Sequence, residues 1–188
     1  MNYDIALEKL LIKEGLYDFN PNDSGKETFR GISRINNPNW KGWEIIDNYK
    51  KNTNGFYDFL YRIRIDNLLM TLVSDFYKTE YWNKLKGDDF KCNNLLITKL
   101  FITSVNTYIT TAVKILQTSI NCIFGVKLKV DGIVGYNVIN TCNNLSTTEV
   151  INVMNVFKIL QGKYYLESID ENPKNREFIN GWINRALD

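Results

Sequence analysis

Apolar side chains recur at helical spacing through most of this chain, and that period limits the fold more than any other feature. It is clearest over residues 56–82, where Phe56, Phe59, Leu60, Ile63, Leu68, Leu72, Phe76 and Tyr77 make one stripe. The spacing predicts a long helix there. The same reading predicts helices over 3–14, around 43–49, and over 94–108, 109–123, 135–143, 147–169 and 175–187, the last behind Pro173. The run KLKVDG within 126–135 reads as strand-like, followed by a turn at Asp131–Gly132. The expected class is mainly α with a small β element.

One segment breaks the helical period. Residues 15–33 hold Gly15, Gly25, Gly31 and Pro21 among several Asn and Asp, which is the composition of tight turns. Within it, LYDF and ETFRGIS predict a small irregular β-hairpin element. The first helix, with Ile5, Leu7, Leu10 and Leu11 on its apolar face, stops at Gly15. Glu14 therefore stands where a helix runs into a folded-back hairpin. Partial desolvation and the negative end of the helix both favour a protonated carboxyl at such a junction. A general acid needs that property. Asp18, Asp23, Glu27 and Thr28 share the segment. On spacing alone the cluster fits a solvated loop better than a site, because 23% of the chain is charged.

Composition removes competing chemistries. The chain has no histidine, which excludes Ser–His and Cys–His nucleophiles and His-ligated metals. Carboxylates, Lys and Tyr remain for acid–base work, with no metal or organic cofactor expected. The 23 basic residues are scattered against 21 acidic ones, a net charge of +2, so no nucleic-acid partner is expected. Cys92, Cys122 and Cys142 fit no zinc spacing and read as small buried hydrophobes. No apolar run is long enough to span a bilayer. The stretch MNYDIALEKLLIKEG reads as an amphipathic helix rather than a signal peptide.

The pattern EG-x-Y-x-x-x-P-x-D-x-G-x-x-T-x-x-GIS is carried here by Glu14, Gly15, Tyr17, Pro21, Asp23, Gly25, Thr28, Gly31, Ile32 and Ser33. It resembles the signature of glycoside hydrolase family 108, which includes secretion activator proteins and phage-type N-acetylmuramidases. The resemblance continues in order along the chain. It takes in Tyr81–Trp82, then LFITSVNT with Leu100, Phe101, Val105 and Asn106. AVKILQ at 112–117 and VDGIVG at 130–135 resemble the associated peptidoglycan-binding region. Phe178, Gly181, Trp182 and Arg185 resemble its closing motif.

The resemblance implies a lysozyme-like fold acting on peptidoglycan glycan strands, at the β-1,4 bond between N-acetylmuramic acid and N-acetylglucosamine. It implies Glu14 as the catalytic acid, with Asp23 and Thr28 as candidates for the second role. Asp23 fits a turn cap as well as it fits catalysis, and Thr28 fits a plain strand residue. Tyr17 is a candidate for stacking on sugar, with packing of the hairpin as its other reading. The expected division is a muramidase-like region at 1–93 and a helical peptidoglycan-binding-type region at 94–188, packed as one compact monomeric unit. Synthesis in the cytoplasm, release through a holin-like pore or secretion machinery, and action in the periplasm or cell wall are expected. The sequence departs from the family pattern at Leu16, Lys26, Arg30, Ile102 and Tyr108. The glycines replaced at 16 and 26 support a rival, a wall-binding accessory without activity. Another rival is a hydrolase of a different N-acetylglucosamine polymer such as chitin.

Overall fold

The periodic stretches fold into nine α-helices among the described residues, which in this computed structural model are 2–19, 27–91 and 94–188. They are α1 (Asn2–Glu14), α2 (Gly42–Asn52), α3 (Phe56–Ile65), α4 (Asn67–Tyr77), α5 (Asn94–Asn106), α6 (Ile109–Phe124), α7 (Tyr136–Asn143), α8 (Thr147–Glu171) and α9 (Ile179–Leu187). The turn-rich segment supplies β1 (Tyr17–Phe19), β2 (Glu27–Phe29) and β3 (Ile32–Ser33). These make one antiparallel sheet in the order β1-β2-β3. The chain is thus mainly α with a small sheet, as a lysozyme-like fold requires. It divides into two compact units, Tyr3–Trp82 and Asn83–Asp188.

In the first unit, α1 buries Tyr3, Ala6, Leu7 and Leu10, one face of a helix. The Tyr3 ring meets Trp82 at 5.4 Å, and its hydroxyl donates to the Ser74 carbonyl. Phe29 and Ile32 of the sheet are buried, as are Trp43 and Ile46 of α2. The expected continuous helix over 56–82 is instead two helices, broken at Asp66. There the backbone turns extended (φ −71°, ψ 110°). The cause is capping: Asp66 Oδ1 accepts the Leu69 N–H at 2.8 Å, and Oδ2 accepts the Tyr49 hydroxyl at 2.8 Å. A carboxylate with two local donors starts a new helix rather than continuing the old one. A π-helical turn, Lys78–Trp82, then closes the unit.

In the second unit α6 packs between α5 and α8, with Leu96, Ile97, Leu100 and Phe101 of α5, Ala112, Val113, Leu116 and Ile120 of α6, and Val153 and Phe157 of α8 all buried. Lys99 is buried, and its Nζ caps α9 by donating to the carbonyls of Arg185 (2.8 Å) and Ala186 (3.0 Å). Trp182 stacks on Tyr165 and Phe178, at 5.1 Å and 5.9 Å, in agreement with a packing role. The last helix begins later than expected, because Pro173 opens a 3₁₀ turn that runs to Phe178. KLKVDG is not a strand. The Asn121 side chain takes the place of a strand partner, donating to the Leu128 carbonyl and accepting the Leu128 N–H, both at 2.8 Å. Cys142 is buried as expected, whereas Cys122 is exposed, and Cys92 lies outside the described residues.

Replacing Asp66 by Ala removes the cap of α4 and the acceptor of the Tyr49 phenol. We expect a loss of about 1–2 kcal/mol in chemical denaturation, with Asp66→Asn recovering most of it. Equal stability of wild type and Asp66→Ala would show that packing alone sets the break.

Candidate active site

Three elements meet at the end of α1. Glu14 is the last residue of that helix and is half-buried. Phe29 and Ile32 pair across a two-residue turn, Arg30–Gly31, with φ of +49° and +81°. Positive φ at both positions is what a type I′ hairpin turn demands, so that the strands leave with the right twist. The Gly31 Cα lies against the Glu14 carboxyl: a Cβ built there would sit 2.7 Å from Glu14 Oε2 and 2.7 Å from the Tyr77 hydroxyl. The Tyr77 hydroxyl donates to the Arg30 carbonyl at 2.7 Å. Helix α1, the hairpin turn and α4 therefore converge on one carboxyl group.

The phenols beside it stay protonated. Burial pushes Tyr77 well above its ordinary value, and the Glu14 charge adds to the shift. Tyr81, whose ring is 5.9 Å from that of Tyr77, is raised by burial, then by Glu80 and Glu14. Tyr77 is missing from the expected site because it lies on the apolar stripe of α4, where sequence alone assigns it to the core.

The strand register separates the other candidates. Tyr17 pairs with Phe29, and Asp18 pairs with Thr28. Side chains alternate along a strand, so Tyr17, Glu27 and Phe29 share one face while Asp18, Thr28 and Ser33 share the other. Thr28 is half-buried on that second face, and Asp18 is exposed. Asp23 and Lys26 lie outside the described residues. Tyr17 donates its hydroxyl to Glu27 Oε1 at 3.1 Å and packs edge-on against Phe59 at 5.0 Å. Its ring also lines a cavity of about 470 Å³ with Phe19, Phe56, Phe59 and Lys50.

Glu27, beside Thr28, is the centre of a charged network. It is 5% exposed and accepts from Lys50 Nζ at 2.6 Å and Arg34 NH1 at 2.8 Å as well as from Tyr17. Arg34 also forks onto both oxygens of Asp47. Burial pushes the Glu27 carboxyl up, but Lys50 and Arg34 outweigh it and hold the group below its ordinary value. The network ties β2 to α2. Four acids among twenty residues gave no sign of which one was buried.

Two departures from the family pattern leave the backbone unstrained. Leu16 has no positive φ, and its carbonyl accepts the Arg30 N–H at 2.9 Å. Tyr108 caps α6 in an extended conformation at φ −135°. In the second unit, the LQ and DG motifs clasp each other. Gln117 donates to Asp131 Oδ1 (2.9 Å) and the Ile133 carbonyl (3.1 Å) and accepts the Gly132 N–H (2.9 Å). Asp131 also accepts the Ile133 N–H at 3.0 Å, which makes it the turn residue expected.

Two family profiles match the chain: Glycosyl hydrolase 108 over residues 7–107, and Predicted Peptidoglycan domain over residues 111–187. No curated protein matches it. Among solved structures, "Structure of Brucella abortus SagA" is similar, with a TM-score of 0.54 at 19% identity, covering 98% of this chain and 93% of that one. At that identity the likeness concerns the fold.

Two outcomes follow from this geometry. Gly31→Ala should destabilise the protein more than Gly15→Ala, as read by thermal melting. Both glycines have positive φ (+81° and +71°), but only at Gly31 does a Cβ meet other atoms. The shared conformational penalty is about 1 kcal/mol, and the excess at Gly31 measures the contact with Glu14 and Tyr77. For Glu27, the depressed pKa stabilises the fold above the group's ordinary value of 4.5 and is lost as pH falls through the folded value. Glu27→Gln should cost roughly 1–3 kcal/mol at neutral pH. It should also flatten the loss of stability on acidification below about pH 4.5; an acid limb as steep as wild type would exclude Glu27 as a source.

Proposed function

Because this chain belongs to the glycosyl hydrolase 108 family, we propose that it hydrolyses the β-1,4 bond between N-acetylmuramic acid and N-acetylglucosamine in peptidoglycan, with Glu14 as general acid. One observation carries the assignment of Glu14. Its carboxyl is the group on which α1, the Arg30–Gly31 turn and Tyr77 converge. The Tyr77 hydroxyl, bonded to the Arg30 carbonyl, holds the turn against the Glu14 carboxyl, where a glycosidase needs an acid beside the leaving oxygen.

In this reading Glu14 protonates the glycosidic oxygen as the bond to the anomeric carbon breaks. Either a water attacks the anomeric carbon from the opposite side of the ring and gives its proton to a carboxylate, or a carboxylate attacks first and a water then displaces it. Thr28, on the face opposite Glu27, is proposed to hold that water, with Asp23 proposed to take its proton. Tyr17 is proposed to offer a sugar the ring that lines its cavity, since its hydroxyl is bonded to Glu27. The rival without activity drew its support from lost glycines, and the ordinary backbone at Leu16 removes that support there.

Glu14→Gln should lower the rate of turbidity loss of purified cell walls by roughly a hundredfold or more. Thr28→Val should lower it less, and Thr28→Ser should restore it. Wall binding by wild type with no lysis would sink the hydrolase reading. Muramic acid at the reducing ends of the products supports the proposed bond; chito-oligomers as the sole products would refute it.

A further inference from the structure

We propose that Arg30 is a substrate-binding residue that takes a carboxylate carried by the glycan strand, so that this enzyme selects anionic strands over neutral ones. The inference rests on the peptidoglycan reading above and deepens it. Four observations support it.

The first is conformational. Arg30 holds φ +49° at the first position of the Arg30–Gly31 turn. Type I′ turns prefer Asn, Asp or Gly there, because a Cβ in the left-handed region is costly. Backbone contacts hold the turn, Arg30 N–H to the Leu16 carbonyl and the Tyr77 hydroxyl to the Arg30 carbonyl, and none of them calls for a long cationic side chain.

The second is its surroundings. Arg30 is half-buried, and its buried Nε has no hydrogen-bond partner among the described residues. Burial pushes its guanidinium below the ordinary value, and the charge of Arg64 on α3 pushes it the same way. Two cations brought together with a buried donor left over form a poor structural element and a good anion receptor. An arginine fork matches a carboxylate in shape and charge.

The third is location. Arg30 lines a cavity of about 370 Å³ with Asp4, Leu7, Glu8, Leu11 and Ile12. Residues 4, 7, 8 and 11 share one face of α1, and Glu14 follows three positions after Leu11 on that face. The residue after Arg30 is Gly31, which touches the Glu14 carboxyl. The proposal makes a group held in this cavity part of the same strand as the bond presented to Glu14.

The fourth is the mixed charge of the cavity. Asp4 and Glu8 are exposed on its wall. A ligand with both a carboxylate and an ammonium fits this lining better than a plain anion. Peptidoglycan offers carboxylates from two sources: the lactyl group of a stripped strand, and the stem peptide of an intact one. The acids favour the stem peptide, which carries amines as well.

The test is binding of soluble glycan strands to the full chain carrying Glu14→Gln, measured by titration calorimetry. Three ligands are compared: peptide-bearing strands, strands stripped of peptide by an amidase, and peptide-bearing strands with their carboxyls converted to amides. Peptide-bearing strands should bind about tenfold more tightly than the amidated ones. Adding Arg30→Gln should abolish that difference, and Arg30→Lys should keep part of it. Melting temperatures of both variants check that the fold is intact. Tight binding of stripped strands assigns the carboxylate to the lactyl group, and weak binding assigns it to the stem. A preference for charged strands that survives Arg30→Gln overturns the proposal, and so does absence of binding to every strand. Failure of wild type to release reducing ends from walls would overturn the activity instead, with the calorimetry still deciding Arg30.

Discussion

The sheet that carries the site depends on one buried carboxylate. Strands of three, three and two residues cannot hold themselves together in water. Glu27 supplies what the short ladder lacks. It sits on the packed face of β2 and receives Lys50 and Arg34 from the far side and Tyr17 from the neighbouring strand. Burying that charge is costly, and the three donors around it, two of them cationic, offset the cost. Asp47 on α2 completes the arrangement by holding the other fork of Arg34. On that one face the sheet is tied to α2 by polar contacts, and Phe29 and Ile32 add buried apolar surface beside them.

Fixing the sheet also fixes the position of the acid. Thr28 is bonded in sequence to Glu27, and strand alternation forces it to the opposite face. Two residues further on, the Arg30–Gly31 turn closes on the end of α1. The absence of a side chain at Gly31 lets the Glu14 carboxyl and the Tyr77 hydroxyl approach the same point. A helix end would otherwise leave its last side chain to solvent. Here the hairpin turn supplies a wall, and the wall is held to α4 by the hydrogen bond from Tyr77 to the Arg30 carbonyl. Placement of the acid is therefore a property of the junction and not of Glu14 alone.

Much of this was legible in the chain. Helical period placed the helices because burial on one face repeats with the backbone, and the Gly and Asn cluster placed the sheet. The resemblance in EG…GIS singled out Glu14 as the candidate acid. What escaped has a common cause. Asp66 breaks a helix because its side chain finds Leu69 N–H and the Tyr49 hydroxyl, and Asn121 replaces a strand partner at Leu128. A periodic pattern records which residues are apolar and is silent about which polar ones find each other. For the same reason Glu27 resembled its neighbours Asp18 and Asp23 in the sequence, and Tyr77 resembled the rest of the α4 stripe.

The departures from the family pattern show how such polar detail separates tolerance from use. Leu16 and Tyr108 stand at positions where the family has glycine, yet each lies in a conformation open to any residue. They cost the backbone nothing and need no compensation. Arg30 differs. It occupies the left-handed region, at about 1–2 kcal/mol for an L side chain, and leaves a buried donor unmet among the described residues. Neither cost is recovered within the first unit by any interaction described for its side chain. Of these three departures, Arg30 is the one that carries backbone strain. Strain of this kind persists where the surrounding structure over-determines it, and it clusters at ligand-binding sites.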